Sequence, residues 1–172
     1  MSLVTEYASN LQYNLKQIFM GKLITTSLGH YYEVKASIIS QDKDGVVKRV
    51  RTALVTDAAS FGDAENTALK ILGEEGHADP QILAITPASY NEVYAGQFCE
   101  RFFKVKVKTI TYSDGKEKAQ NIFYLVDAQD INEAKNIIKS IYDKSMIDEY
   151  DIIAIAETPI TTFVFDHKVM PL

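Results

Sequence analysis

The feature that most constrains the fold of this chain is an internal repeat. A segment that begins at Phe102 repeats, with changes, a segment that begins at Tyr31, and both open with two aromatic residues before an alternating stretch. The segments align at a shift of 71 residues before a glycine-containing turn and 70 after it. Between Asp44 and Ile85 the 42 aligned residues contain eleven identities. Turns tolerate one-residue differences, so we predict two copies of one structural unit.

Each copy is predicted to contain a strand, a second strand, a helix and a third strand. The first strand of each copy alternates with a period of two, which is typical of half-buried strands. Ser60, with Asp63 three residues later, forms a capping-box signal at the start of the first helix. The predicted strands are Tyr31–Ile38, Val46–Val55, Gln81–Thr86, Phe102–Thr111, Gln120–Val126 and Ile152–Ile155, and the predicted helices are Phe61–Gly73 and Asp130–Asp143.

These elements predict an α+β fold made by duplication of a ββαβ unit. We expect two small antiparallel sheets, each covered by one helix, with the first repeat at residues 30–96 and the second at residues 97–172. Two copies are too few for an open solenoid and more often pair. An amphipathic helix over roughly residues 3–20 is predicted within residues 1–29, and it packs either on this chain or on a partner. Its apolar stripe consists of Val4, Ala8, Leu11, Leu15 and Ile18.

The motifs of the second copy resemble those of a known family. These motifs are the aromatic pair before Lys104, the Asp114-Gly115 turn, Leu125-Val126-Asp127-Ala128 and the final Ile152–Ile155 strand. The chain resembles an uncharacterised domain-of-unknown-function family that is common in Bacteroidetes and in their phages and mobile elements. The resemblance covers roughly residues 30–165. It implies a compact α+β domain in a phage or mobile-element setting, and it implies no site residues.

Composition excludes several classes of protein. The single cysteine, Cys99, cannot form an internal disulfide or a cysteine-based zinc cluster, which favours a reducing compartment. Residues 1–29 lack the features of a signal peptide, and no stretch of eighteen apolar residues occurs. We therefore expect a soluble cytoplasmic protein, in the host-cell cytoplasm if it is phage-encoded, with no membrane partner. The net charge of −5 argues against coating of a polyanion by the whole surface.

Charge is distributed unevenly between the predicted hairpins and helices. Residues 31–51 carry five basic and three acidic side chains, and residues 102–118 carry five basic and two acidic ones. Residues 57–79 carry six acids and one lysine. Aromatic side chains interleaved with cations on a sheet can bind single-stranded nucleic acid, although lysines also solvate faces and protect edge strands. The candidate nucleic-acid or anion-binding residues are Tyr31, Lys35, Arg49, Arg51, Phe102, Lys104, Lys106 and Lys108.

Other chemistry has weaker support in the sequence. The stretch from Ser40 to Gly45 resembles a calcium loop, but Arg51 stands where the loop needs a glutamate, so a hairpin turn explains it. Asp57 and Asp127 could form a carboxylate pair, but an aspartate between a strand and a helix more often stabilises the turn and the helix N-terminus. The three histidines show no ligand spacing, and Cys99 has no neighbouring histidine. We predict no cofactor, no metal and no catalytic residue.

Three functions remain open at this stage, in decreasing order of support. The first is a non-enzymatic binding or assembly protein that uses a sheet face or the N-terminal helix to engage a protein partner, a second copy of itself or single-stranded nucleic acid. The second is a protein that sequesters a small anionic ligand between the two repeats. The third is an enzyme that uses Asp57 and Asp127, or Cys99.

Overall fold

A computed structural model of the chain describes residues 30–95, 101–145, 147, 149–165 and 168–169. In chain order its elements are β1 (His30–Gln41), β2 (Val47–Ala58), α1 (Phe61–Glu74), β3 (Gln81–Pro87), β4 (Glu92–Tyr94), β5 (Phe102–Ser113), β6 (Lys116–Asp127), α2 (Ile131–Tyr142), β7 (Glu149–Glu157), β8 (Ile160–Phe165) and β9 (Lys168–Val169). They form two compact units. The first unit contains β1–β3, α1, β8 and β9, and the second contains β4–β7 and α2.

The first unit is a five-stranded sheet with one helix. Its strand order is β3-β1-β2-β8-β9. β1 pairs antiparallel with both β2 and β3, whereas β8 pairs in parallel with β2. Helix α1 contacts β1, β2 and β3. The core between helix and sheet is mostly aliphatic, and its fully buried members include Val34, Leu54, Ile71 and Val164.

The second unit repeats this arrangement with four strands. Its strand order is β4-β6-β5-β7, in which β5 pairs antiparallel with β6 and β7, and β4 pairs in parallel with β6. Helix α2 covers one face and packs on Phe103, Val105 and Val107. The two sheets therefore place equivalent strands in equivalent positions, which confirms the predicted α+β duplication.

The registers of the two sheets agree residue by residue. Lys35 lies opposite Ala53 and Lys106 lies opposite Phe123, at the 71- and 70-residue shifts seen in the sequence. The one-residue difference falls in the turn, because Gln41 pairs with Val47 across five residues while Tyr112 pairs with Glu117 across four. In the second turn Asp114 and Gly115 both have positive φ, as a two-residue hairpin requires.

Edge strands β3 and β7 carry the same irregularity. The pairing shifts between Lys35 and Ala36 in the first unit and between Lys106 and Val107 in the second. The bulged residues, Leu83 and Ile153, are 52% and 47% exposed. Bulges are common on edge strands, where they interrupt the row of backbone groups that another strand could pair with.

Three strands that the sequence did not predict, β4, β8 and β9, complete the sheets. β4 follows β3 in the chain but pairs with β6 of the second unit, and β8 follows β7 but pairs with β2 of the first unit. Each sheet thus contains three antiparallel strands, as expected, and a fourth strand in parallel. The first sheet ends with a fifth strand, β9, which pairs antiparallel with β8. The sequence repeats and the structural units are consequently different segments of the chain.

Both helices begin at side-chain caps. Ser60 Oγ accepts a hydrogen bond from the N–H of Asp63, whose carboxylate accepts one from Ala59 N–H, so the predicted capping box is confirmed. In the second unit Asp130 caps α2 through the N–H of Glu133. The predicted helix over residues 3–20 lies outside the described residues. Neither α1 nor α2, the helices of the described segments, has the length and apolar character needed to span a membrane.

Candidate functional site

The face of the second sheet that points away from α2 carries a row of lysines. Phe103, Val105 and Val107 of β5 pack against the helix, so the alternate residues of the strand lie on the opposite face. Lys104, Lys106 and Lys108 therefore share one face, as the alternation predicted. Together with Phe123 of β6, these residues are called the lysine face below.

Phe123 lies at the centre of the lysine face. Lys104 Nζ is 4.9 Å from the centroid of the Phe123 ring, and Lys106 Nζ is 5.8 Å from it. Lys104 Nζ is also 5.4 Å from the ring centroid of Tyr90. A cation over an aromatic face gains about 0.5–1 kcal/mol at an exposed site. The ring thus orients two ammonium groups side by side on the sheet.

The residues directly paired with two of these lysines carry no charge. On β6, the residues opposite Lys104 and Lys106 are Leu125 and Phe123, and on β7 they are alanines. Lys108 differs, because its partner on β7 is Asp151. Acidic residues therefore lie near both ends of the lysine face, Asp151 opposite Lys108 and Asp127 two residues beyond the partner of Lys104 on β6.

The equivalent face of the first sheet is also cationic but differently built. Lys35 is the counterpart of Lys106, and Arg51 lies on the same face opposite Ser37. Arg49 lies further along β2, where its guanidinium forms an ion pair with Asp79 and donates to the Asp79 carbonyl at 3.3 Å. Glu33 stands where the second unit has Lys104, with its carboxylate 4.0 Å from Lys35 Nζ. The positive charge of this sheet is thus spread over two strands.

The two aromatic residues that sequence reasoning proposed as stacking platforms are buried. Tyr31 is 6% exposed and Phe102 is 4% exposed, which leaves too little ring surface for a base to stack on. On the lysine face the ring that lies beside the lysines is the half-buried Phe123. The position of Phe123 could have been predicted from the hairpin turn. In a two-residue turn at Asp114-Gly115, paired positions add to a constant, and this puts Phe123 opposite Lys106.

A cluster of tyrosines, which the sequence analysis missed, lies on the helix-covered side of the second sheet. Tyr124 and Tyr142 have hydroxyl oxygens 2.8 Å apart, and Tyr94 donates to Glu92 at 2.5 Å. The rings of Tyr142 and Tyr150 are stacked at 4.4 Å. Tyr94, Tyr124, Tyr142 and Tyr150 are called the tyrosine cluster below. Only the register and the helix position bring them together, so no local spacing revealed the cluster.

Burial raises the pKa of Tyr94 and of Tyr124 far above the usual value for a phenol. In Tyr94 the hydrogen bond to the Glu92 carboxylate adds to this effect, since it stabilises the protonated hydroxyl. In Tyr124 the bond to Tyr142 acts in the same direction. Burial also raises the pKa of Tyr142. At neutral pH the cluster therefore offers hydroxyl groups and not phenolates.

The remaining sequence candidates lie at equivalent points of the two units or outside the described residues. Asp57 and Asp127 are buried near the ends of β2 and β6, opposite Tyr31 and Phe102. The helices themselves are capped by Ser60 and Asp130, and the stabilising role of the two aspartates stays a prediction. Cys99 lies outside the described residues. Within the described segments, no group of three histidine, cysteine or acidic side chains is arranged to hold a metal ion.

Comparison with known proteins identifies a family. The sequence model of DUF4494, described as a domain of unknown function, matches residues 30–167. This match covers most of the chain, which therefore belongs to the DUF4494 family. No curated protein and no solved structure matches the chain.

Proposed function

We propose that this member of the DUF4494 family binds single-stranded nucleic acid along the lysine face of its second unit. The observation that carries the proposal is the placement of Lys104 and Lys106 beside one aromatic ring on the sheet face that points away from α2. Single strands are bound by cations that pair with phosphates and by rings that stack on bases. Lysines at alternate strand positions supply the first element and Phe123 supplies the second.

Phe123 has two roles in this proposal. In the free protein its ring orients the two ammonium groups, which lie 4.9 and 5.8 Å from its centroid. When a strand binds, the ammonium groups move to phosphates and the ring becomes available to a base. The cation–π energy given up, about 0.5–1 kcal/mol per lysine, is smaller than the roughly 1–3 kcal/mol of one base–aromatic stack.

The test is a titration of a fluorescent single-stranded oligonucleotide, followed by anisotropy over a series of salt concentrations. Affinity should fall with salt, with a slope of roughly −0.7 per phosphate contact. Lys104→Ala and Lys106→Ala should each weaken binding and reduce that slope by about one contact. Phe123→Ala should weaken binding while leaving the slope almost unchanged, because stacking displaces no counterion.

Lys139→Ala is the matched control. Lys139 is an exposed lysine of α2, outside the lysine face, and its replacement makes the same change in net charge. Equal losses of affinity in Lys106→Ala and Lys139→Ala would mean that net charge alone explains the binding, and this would contradict the proposal. Binding that is absent, or insensitive to salt, would contradict it directly.

The same purified protein and variants distinguish nucleic acid from other kinds of partner. An acidic protein partner would depend on Lys104 and Lys106 and would compete with the oligonucleotide for them. It would have no base to stack on the ring, so Phe123→Ala would weaken its binding less than that of the oligonucleotide. A small anionic ligand would co-purify in stoichiometric amount or raise the melting temperature in a metabolite screen. A phage or mobile-element setting is supported by the motif resemblance alone, and genes of cellular metabolism on both sides of the coding sequence would count against it.

A further inference from the structure

The first unit contains a strand, β8, that follows directly in the chain after the last strand of the second unit. β8 pairs with β2 from Ala53 opposite Ile160 to Thr56 opposite Val164. The preceding strand, β7, belongs to the second unit. The chain therefore passes from one unit to the other between Glu157 and Ile160, in two residues.

This two-residue connector is short and stiff. Thr158 is held in the second unit, where its N–H and its hydroxyl both donate to the carbonyl of Phe102 at 2.8 Å. Pro159 has a fixed φ, and it also restricts Thr158 to extended conformations. Short, constrained hinges favour the exchange of an element between copies of a protein.

β8 cannot remain unpaired without exposing apolar side chains that are now buried. Ile160 and Phe163 are 2% exposed and Val164 is fully buried. Its loss would also open the edge of β2, where Thr161 Oγ now bonds the carbonyl of Ala53 at 3.3 Å. A β8 strand from a second copy makes the same contacts, so exchange between copies loses none of them.

We propose that two copies of this chain exchange β8 and β9, so that β8 of each copy pairs with β2 of the other. The β2 edge of each copy is then occupied by β8 of the other copy, and this β8 stays covalently joined to the second unit of its own chain. The residue before β4, the other crossing strand, is bonded to β6. Asn91 both donates its N–H to the Phe123 carbonyl at 2.7 Å and accepts from Phe123 N–H at 2.8 Å.

Engineered cysteines test the exchange directly. Thr52 and Thr161 have hydroxyl oxygens 3.0 Å apart on β2 and β8, so a cysteine at each position can be joined by a disulfide. Chains carrying Thr52→Cys are mixed with chains carrying Thr161→Cys, both with Cys99→Ser, unfolded, refolded together and oxidised. Exchange predicts a covalent heterodimer in which the disulfide joins the two different chains.

The matched control uses a pair that exchange leaves within one chain. Ser37 and Arg51 lie opposite each other in the β1–β2 hairpin, so a mixture of Ser37→Cys and Arg51→Cys chains should give at least tenfold less of the cross-chain product. Equal yields from the two mixtures would reflect random oxidation and overturn the proposal. A Thr52→Cys/Thr161→Cys chain that oxidises only within itself, at every concentration, would overturn it as well.

The unmodified chain provides a second measurement that does not depend on the variants. Analytical ultracentrifugation should show a species of twice the monomer mass whose fraction rises with protein concentration. Insertion of a flexible Gly-Ser segment after Pro159 should shift this population towards the monomer, since a longer connector relieves the constraint. A mass that stays monomeric over the whole concentration range would contradict exchange, and so would a dimer that the insertion leaves unchanged.

Discussion

The core of the first unit is aliphatic at the positions where the core of the second unit contains tyrosines. At the 70-residue shift, Leu54 corresponds to Tyr124 and Leu72 to Tyr142. In the crossing strands, Val164 lies opposite Thr56 just as Tyr94 lies opposite Val126. The backbone topology is the same in both units. The fold therefore tolerates either chemistry at these positions.

The difference shows how a duplicated fold can diverge without losing its core. A buried tyrosine needs a partner for its hydroxyl, and the second unit supplies partners together: Tyr142 for Tyr124, and Glu92 for Tyr94. The first unit has Thr162 in place of Glu92, and no phenol at the corresponding core positions. The lysine face also belongs to the second unit. Its divergence thus involves both sides of one sheet.

The largest effect should come from Phe163→Ala. Phe163 is 2% exposed and lies 6.1 Å from the ring of Tyr31, so truncation leaves a large cavity in the first unit and costs about 3–5 kcal/mol. Hydrogen exchange should show lost protection in β1, β2 and α1, which are distant from Phe163 in sequence.

The control is Val93→Ala, the corresponding change in β4 of the second unit. It should lower protection in β5, β6 and α2 instead. If Phe163→Ala reduced protection mainly in β5–β7, the assignment of β8 to the first unit would be wrong.

The next largest effect should come from high pH, which we expect to destabilise the second unit more than the first. The pKa values of Tyr94 and Tyr124 are raised in the folded state above the usual value of 10.0, so below pH 10 their contribution to stability is fully present. Above pH 10 the unfolded chain ionises while the folded chain does not. The second unit should then lose about 1.4 kcal/mol per pH unit for each tyrosine.

Urea unfolding between pH 9 and pH 11, followed by hydrogen exchange or tyrosine absorbance, measures this loss. The Tyr94→Phe/Tyr124→Phe variant is the control and should show a shallower dependence on pH. The same slope in the variant would assign the effect to other groups.

A smaller effect is expected from Tyr124→Phe, which leaves the hydroxyl of Tyr142 buried without its present partner. This should cost about 1–3 kcal/mol. Tyr124→Phe/Tyr142→Phe removes both hydroxyls and should cost less than the sum of the single changes, with a coupling energy of about 0.5–3 kcal/mol. Additive losses in chemical denaturation would show that the two hydroxyls do not act as a pair.

Sequence pattern predicted the repeated elements and missed the crossing strands, for physical reasons. The strands from Tyr31 and Phe102 alternate over many residues because one face is buried, and the Asp63 capping signal acts locally. β4 has three residues, too few to establish a period, and its parallel pairing with β6 depends on tertiary structure. The start of β6 at Lys116 was missed because this exposed end of the hairpin has no apolar alternation.

The candidate site was predictable to a similar extent. Alternation alone placed Lys104, Lys106 and Lys108 on one face. Whether an aromatic residue is buried depends on what covers it, so the burial of Phe102 and the partial exposure of Phe123 could not be obtained from the alternation of β5. Tyr90 contacts Lys104 only because β4 joins this sheet, and this also required the tertiary structure.

The smallest expected effect concerns the ion pair that only the first unit has. Arg49 binds Asp79, whereas the corresponding residues of the second unit are Ala119 and Glu149, which cannot form such a pair. Arg49→Ala makes the first hairpin resemble the second and should cost at most about 1 kcal/mol, since exposed ion pairs contribute little and are screened by salt. The loss should shrink in 1 M NaCl, and Arg51→Ala on the same face serves as the comparison. A loss of several kcal/mol that salt leaves unchanged would mean that Asp79, which has a positive φ of 48°, depends on Arg49 to hold the turn before β3.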